Sequence, residues 1–195
     1  MKTRTDVLNH LIQKHHLKRY LEIGVQDAAQ NFDKIICPEK IGVDPDPDAK
    51  ATYCMTSDKY FNMAHAHMYH PDLIFIDGLH TAEQVKKDFE NALKILSPNG
   101  FIVLHDCSPE KEEHTIVPRP TARGHWNGDV YKFAVTISNK RKYTVDVDNG
   151  CLVFNASGNI LYQVDEFTRD VKWDYFDKHR NHLLNLITWE EFVSL

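Results

Sequence analysis

Apolar residues fall along the chain in two rhythms. Short unbroken runs recur at 19–25 (RYLEIGV), 40–47 (KIGVDPDP), 51–56 (ATYCMT), 72–77 (DLIFID) and 101–106 (FIVLHD). Runs of this length predict strands, and DLIFID, apolar on both faces, suits the centre of a parallel sheet. Between the runs, apolar positions recur at helical spacing. Val7, Leu8, Leu11 and Ile12 predict a helix over 4–16, with Thr5 as a cap. A second helix follows at about 57–68. Val85, Phe89, Ala92, Leu93 and Leu96 mark the buried face of a third, opened by Thr81 and stopped by Pro98-Asn99-Gly100. NFDKII reads as a short helix or turn, and WNGDVYKFAVTIS as a helix behind Asn127 or Asp129. KYTVDV and GCLVFNA flank Asp148-Asn149-Gly150, and Asn-Gly is a hairpin signal. The tail, 166–195, predicts two short helices.

Strand, helix, strand in alternation implies right-handed crossovers and a doubly wound α/β sheet. A length of 195 residues suits a single domain spanning 1–195. The segment 108–125 breaks the rhythm with Pro109, Pro118, Pro120, a charge run and no periodicity. A loop this long in a compact domain points to function, here an active-site loop.

Composition narrows the class. Apolar residues make up 42%, enough for a substantial core, and no stretch approaches the ~20 apolar residues of a membrane span. A net charge of −5 counts against a nucleic-acid binder of the simple basic kind. The N-terminus lacks an apolar signal core, and the four cysteines form no CxxC pair, so reduced thiols in a cytoplasmic setting are expected. Cys107 follows an acid at a strand end, where it could be a reactive thiol or a small filler.

In an open α/β sheet, ligands bind beyond the carboxyl ends of the strands. That edge would gather Glu22 and Gly24, Asp44, Asp77, and His105-Asp106. Asp44 lies twenty residues after Gly24, a spacing that suits a carboxylate holding the two hydroxyls of a ribose. The loop Gly24-Val25-Gln26-Asp27-Ala28-Ala29-Gln30 has one glycine and an acid, a poor cradle for a pyrophosphate. It better suits a cofactor with a cationic end, such as the ammonium and sulfonium of S-adenosylmethionine. Asp77, His105 and Asp106 offer two carboxylates and an imidazole, a set that suits a divalent cation, magnesium or manganese more than zinc. His80 falls at a helix N-terminus over the same edge. There it could act as a general base, its pKa lowered by the helix dipole.

Taken together, RYLEIGV, IGVDPDP, MTSDKYF, the long segment from Asp72 to Cys107, and WNGDVYKF resemble class I S-adenosylmethionine-dependent methyltransferases of the methyltransferase-24 type. The resemblance covers roughly residues 4 to 155. It implies a seven-stranded sheet in the order 3-2-1-4-5-7-6 with the last strand antiparallel. It implies that Glu22 and Gly24 line the methionine end of the cofactor, that Asp44 holds the ribose, and that Ser57 and Asp58 approach the adenine. Asp77 would lie between cofactor and acceptor. In metal-using relatives the acid after the fourth strand and the pair after the fifth bind magnesium, here Asp77, His105 and Asp106. Catechol-type relatives place a basic lysine where this chain has His80. Two departures stand out: Ala28-Ala29 where another small residue, most often glycine, is usual, and His105 where sugar-modifying relatives carry an acid.

The expectation is therefore an O-methyltransferase acting on a small hydroxylated acceptor such as a sugar or glycoside, with catalytic His80 and Asp77. His114, Arg119, Arg123 and Trp126 are candidate acceptor contacts. A nicotinamide-dependent oxidoreductase and a non-catalytic partner module are the alternatives, the first weakened by the missing G-x-G-x-x-G. Apolar tail residues such as Trp173, Tyr175, Phe176, Leu183, Leu184 and Leu186 could pack on this domain or on another subunit of a homo-oligomer.

Overall fold

The structure, a computed structural model, describes residues 1–120, 124–138, 140, 142–156 and 171–195. Eight strands form one sheet: β1 (Arg19–Ile23), β2 (Glu39–Asp44), β3 (Tyr53–Cys54), β4 (Leu73–Ile76), β5 (Phe101–Leu104), β6 (Lys142–Val145), β7 (Cys151–Asn155) and β8 (Leu186–Ile187). Their order is β3-β2-β1-β4-β5-β7-β6-β8. The expected seven-strand order is present, with β7 antiparallel to both β5 and β6. The eighth strand is an addition: two tail residues pair parallel with β6 between two helices. Two residues carry no readable strand period, so the sequence pattern does not reveal it.

The sheet is buried on both faces, because side chains alternate along each strand. Leu21, Ile74, Ile102, Leu104 and Leu152 point to one face, where they meet Val85, Phe89 and Ala92 of α4 (Ala82–Ile95), together with α5 (Val130–Ala134) and α6 (Trp173–Leu184). Tyr20, Leu73, Phe75, Val103 and Val153 point to the other, where they meet Val7, Leu8 and Leu11 of α1 (Arg4–His15) and Phe192 of α7 (Trp189–Ser194). Phe89 is fully buried, and truncating such a ring to alanine costs about 3–5 kcal/mol.

Several predicted boundaries shift for local reasons. The second strand ends at Asp44 rather than running to 47, since Pro45 and Pro47 have no N–H to give a ladder. The helix expected over 57–68 is two, α2 (Ser57–Phe61) and α3 (Ala64–Tyr69), separated where Met63 turns extended. Of the two starts expected for the helix within 126–138, the structure has the one behind Asp129, and the helix, α5, ends early, at Ala134. The loop after β5 contains a 3-10 turn at Glu112–Thr115. Arg123 and tail residues 166–170 lie outside the described residues.

The sheet order reverses at β1. The chain leaves β1 to lay β2 and β3 on one side, then crosses to β4 on the other. The carboxyl ends of β1 and β4 therefore open side by side, with Gly24 and Asp77 at the crevice.

Candidate active site

Gly24 makes the first turn possible. It has φ +87, and a Cβ there would overlap the backbone of Asp77 and Gly78. Only glycine lets the β1 turn pass so close to the end of β4. Beside it, both oxygens of Asp44 are fixed by backbone: Oδ2 accepts from Gln26 N–H at 2.8 Å and Oδ1 from Asp46 N–H at 2.8 Å. A carboxylate so held keeps further lone pairs for ligand hydroxyls.

Glu22 does not join this edge. Its carboxylate turns inward, accepting from the Tyr20 hydroxyl at 2.6 Å and the Asn31 amide at 3.0 Å, and only 1% of the residue is exposed. Thr5 of α1 completes the chain by donating to Asn31 at 2.7 Å. Burial pushes the Glu22 carboxyl up to about 7, against the hydrogen bonds from Tyr20 and Asn31. The structure thus places Glu22, which the resemblance sets at a cofactor's methionine end, as an internal strut: strand alternation sends the side chain to the α1 face. Ser57 and Asp58 do begin α2 beyond β3, but their side chains serve α4. Ser57 Oγ accepts from Gln84, while the two oxygens of Asp58 face Gln84 and Lys87, the latter at 2.6 Å.

The densest chemistry lies at the ends of β4 and β5. The His80 ring spans two acids, with Nε2 3.4 Å from Asp77 and Nδ1 3.0 Å from Asp106. The Nδ1 approach is close but not directed as a hydrogen bond. His105 lies deeper, its Nδ1 3.1 Å from Asp77 and 3.5 Å from Asp106, and its Nε2 3.7 Å from Asp148. Arg4, at the start of α1, reaches Asp148 at 3.2 Å and Asp77 at 3.7 Å.

Burial shifts each of these groups, and their neighbours decide the direction. Burial would raise Asp77, but His105 and then His80 outweigh it and hold the carboxyl well below the usual carboxylate range. Asp148 is also depressed despite partial burial, through His105 and Arg4. For Asp106 burial dominates and raises the carboxyl. Burial would lower both imidazoles. Asp77 and Asp106 raise His80 instead, and with Asp148 they raise His105 well above its ordinary value. The expected lowering of His80 by a helix dipole is therefore reversed: two carboxylates at contact distance outweigh the partial charge of a helix end. The N-terminus of α4 is capped by other groups, with Thr81 Oγ1 accepting from Gln84 N–H and Asp129 Oδ1 accepting from Ala82 N–H at 2.7 Å.

The metal expectation can be tested against this geometry. The three groups whose donor atoms converge, all within 4.8 Å of one another, are Asp77, His80 and Asp106; His105 is not among them. Each oxygen of the two acids already faces a nitrogen of this chain. For Asp77 these are His105 and His80 on Oδ1 and Arg4 on Oδ2; for Asp106, Asn127 and His105 on Oδ1 and His80 on Oδ2. Three acids (Asp77, Asp106 and Asp148) are matched by Arg4 and two imidazoles. Magnesium needs a near-octahedral shell of oxygens, and these residues do not fit it as a resident ion.

The residues 126–129 pass over His80. Trp126 stacks flat on the imidazole, with centroids 5.1 Å apart and planes 8° apart. Arg119 lies over the same indole, 5.2 Å from the ring centroid. Asn127 donates to Asp106 at 2.6 Å, and Asp129 N–H to the His80 carbonyl at 3.2 Å. His114 contributes its carbonyl to this segment, while its ring meets His125 edge-on. Trp126 and Arg119 were expected beside the acceptor; the sequence pattern gave no sign of Arg4, Asn127, Gly128 or Asp148 in the site. Cys107 is fully buried with its thiol facing the Leu104 and His105 carbonyls, and burial pushes it well up, so it is a filler.

A doubly wound sheet with its switch point at a single-glycine turn, an aspartate ending β2 and an acid–imidazole cluster ending β4 and β5 is the layout of a group-transfer enzyme of the class I methyltransferase kind. Residues 7–107, more than half of the chain, match the methyltransferase-24 family model, described as a methyltransferase domain, and the chain belongs to that family. No curated protein matches it in sequence. Among solved structures it is similar to an O-methyltransferase from Bacillus cereus in complex with S-adenosylhomocysteine, at 14% identity and a TM-score of 0.51, covering 80% of this chain and 82% of that one. It is also similar to an S-adenosylhomocysteine-bound Podospora anserina methyltransferase, at 19% identity and a TM-score of 0.50, covering 78% of each. At these identities the likeness is one of fold. No helix among the described residues is long and apolar enough to cross a membrane.

Proposed function

We propose that the protein methylates the hydroxyl of a small acceptor, such as a sugar or glycoside, with S-adenosylmethionine as donor. The observation that carries this reading is the placement of His80 between Asp77 and Asp106 at the same edge as the Gly24 turn and Asp44. S-adenosylmethionine supplies an electrophilic methyl group on a sulfonium. The residues suited to hold it are Gly24, through the close passage of its backbone, Asp44, through its free lone pairs, and Asp77. Oxygen as the acceptor atom is supported by the Bacillus cereus neighbour, an O-methyltransferase.

In this reading the chain supplies a proton acceptor and alignment. Asp106 faces His80 Nδ1, which leaves Nε2, the looser of the two contacts, to take the hydroxyl proton. Asp77 keeps its negative charge beside the developing imidazolium. Trp126 covers one face of the ring and limits water there. In-line displacement needs the attacking oxygen, methyl carbon and leaving sulfur aligned, and orientation contributes much of the acceleration.

Calorimetry with S-adenosylmethionine and S-adenosylhomocysteine tests the reading, and absence of binding to both would overturn it. Methyl transfer to a panel of sugars and glycosides should survive a chelator unchanged. His80→Ala should keep S-adenosylhomocysteine affinity while turnover falls about 10²- to 10⁴-fold; turnover near wild type would remove His80 from the role of base.

A further inference from the structure

Asn127 has no part in the chemistry so far, yet it is fully buried and, among the described residues, its one side-chain hydrogen bond goes to Asp106. We propose that Asn127 is a positioning residue for proton removal: its amide sets the Asp106 carboxylate so that the other oxygen faces His80 Nδ1. This rests on the reading of His80 as the base.

The amide N–H meets Asp106 Oδ1 at 2.6 Å, and Asp106 Oδ2 lies 3.0 Å from His80 Nδ1. Asn127, Asp106 and His80 thus form a line ending at the loosely held Nε2. The orientation of the amide is fixed chemically, because turning it over would set its carbonyl against a carboxylate oxygen. Among the described residues, its buried carbonyl oxygen has no partner. A side chain kept only for packing would not be left half satisfied in the interior, since an unpaired buried carbonyl is destabilising. Asp106 itself sits at φ +58, a sparsely populated backbone region of the kind found at functional sites.

The backbone on either side of Asn127 is held as tightly. Asn127 N–H and Gly128 N–H both donate to the His114 carbonyl, at 2.9 and 3.1 Å. Gly128 has φ +64, and any Cβ there would overlap the His80 carbonyl. Asp129 then grips that same carbonyl and the first N–H of α4. Four consecutive residues therefore fix the His80 ring, its carboxylate partner, its backbone and the helix that follows it. This is positional control of a single side chain, and Asn127 is the member that acts through the carboxylate.

The test compares Asn127→Ala with Asn127→Ser, which keeps a shorter O–H donor. Histidine ring ¹⁵N–¹H correlation spectra, with His80 assigned by loss of its signal in His80→Ala, report the ring's hydrogen-bonding state without any acceptor. Asn127→Ala should move the His80 ring nitrogen signals and Asn127→Ser should return them toward wild type, with S-adenosylhomocysteine affinity by calorimetry within about twofold throughout. Turnover at saturating donor should fall at least tenfold in the alanine variant, with partial recovery in the serine variant. Unchanged His80 signals in folded Asn127→Ala would overturn the proposal. If that variant does not fold, wild-type signals in Asn127→Asp, which removes the N–H donor and keeps the size, would overturn it equally. A wild-type protein that fails to bind S-adenosylhomocysteine while the variants still move His80 would sink the methyl-transfer reading and leave the clamp standing.

Discussion

Glu22 and Asp77 end neighbouring strands, yet burial governs one and paired cations the other. Glu22, raised to about 7 from 4.5, stays protonated in the fold at pH values where the unfolded chain has ionised. The folded state therefore binds more protons between those values, so stability is greatest below about pH 4.5 with respect to this group and falls as pH rises through 7. The loss amounts to about 3 kcal/mol, and Glu22→Gln should flatten it. Urea denaturation at pH 5 and pH 8 checks this; parallel losses in wild type and variant would remove Glu22 as the cause. Gly24→Ala tests the other kind of dependence. A methyl group there meets the Asp77 backbone in a left-handed conformation. We expect S-adenosylhomocysteine affinity to fall more than tenfold by calorimetry, with far-ultraviolet circular dichroism little changed. Asp44, Asp77 and Asp106 could be found in sequence because each ends an apolar run. The inward turn of Glu22 could not, because it depends on Asn31 and Thr5 arriving from other elements.

Among the elements, α4 links fold to chemistry. Its apolar spacing was readable, as was Thr81 as its cap, because both follow from local period and side-chain reach. Its second cap was not, since Asp129 is 47 residues away from Ala82. Removing either acceptor, by Thr81→Ala or Asp129→Ala, should cost about 1 kcal/mol in thermal or urea melts. Asp129→Ala should also lower turnover, because its carboxylate ties the segment over His80 to the first N–H of α4, just after His80 in the chain. Equal turnover in the two variants would mean that Asp129 serves the helix alone. The split of 57–68 into α2 and α3, and the shortening of α5, escaped the sequence reading for a shared reason. Both turn on single backbone positions, an extended Met63 and the end of α5 at Ala134, that the apolar period does not mark.

For the whole molecule, strand alternation sufficed to indicate a doubly wound sheet, and the crevice between β1 and β4 followed from it. What the chain does beyond residue 171 was misread in part, because a helix pair and a helix–strand–helix differ there by two residues. Those two residues matter. Deleting 186–195 would strip β8 from β6 and remove Phe192, which is buried against the α1 face. The shortened protein should melt earlier and scatter light on warming at concentrations where the full chain stays clear; equal melting and clarity would show that α7 and β8 are dispensable.

The reason concerns self-association. Among the described residues, the sheet ends at β3 on one side and β8 on the other, and each is two residues long. A strand that short offers a neighbouring molecule too few free N–H and C=O groups to template a continued ladder. Without β8, the four residues of β6 would become the border, and a tail that reads as an afterthought would prove to be the guard against growth of the sheet from one molecule into the next.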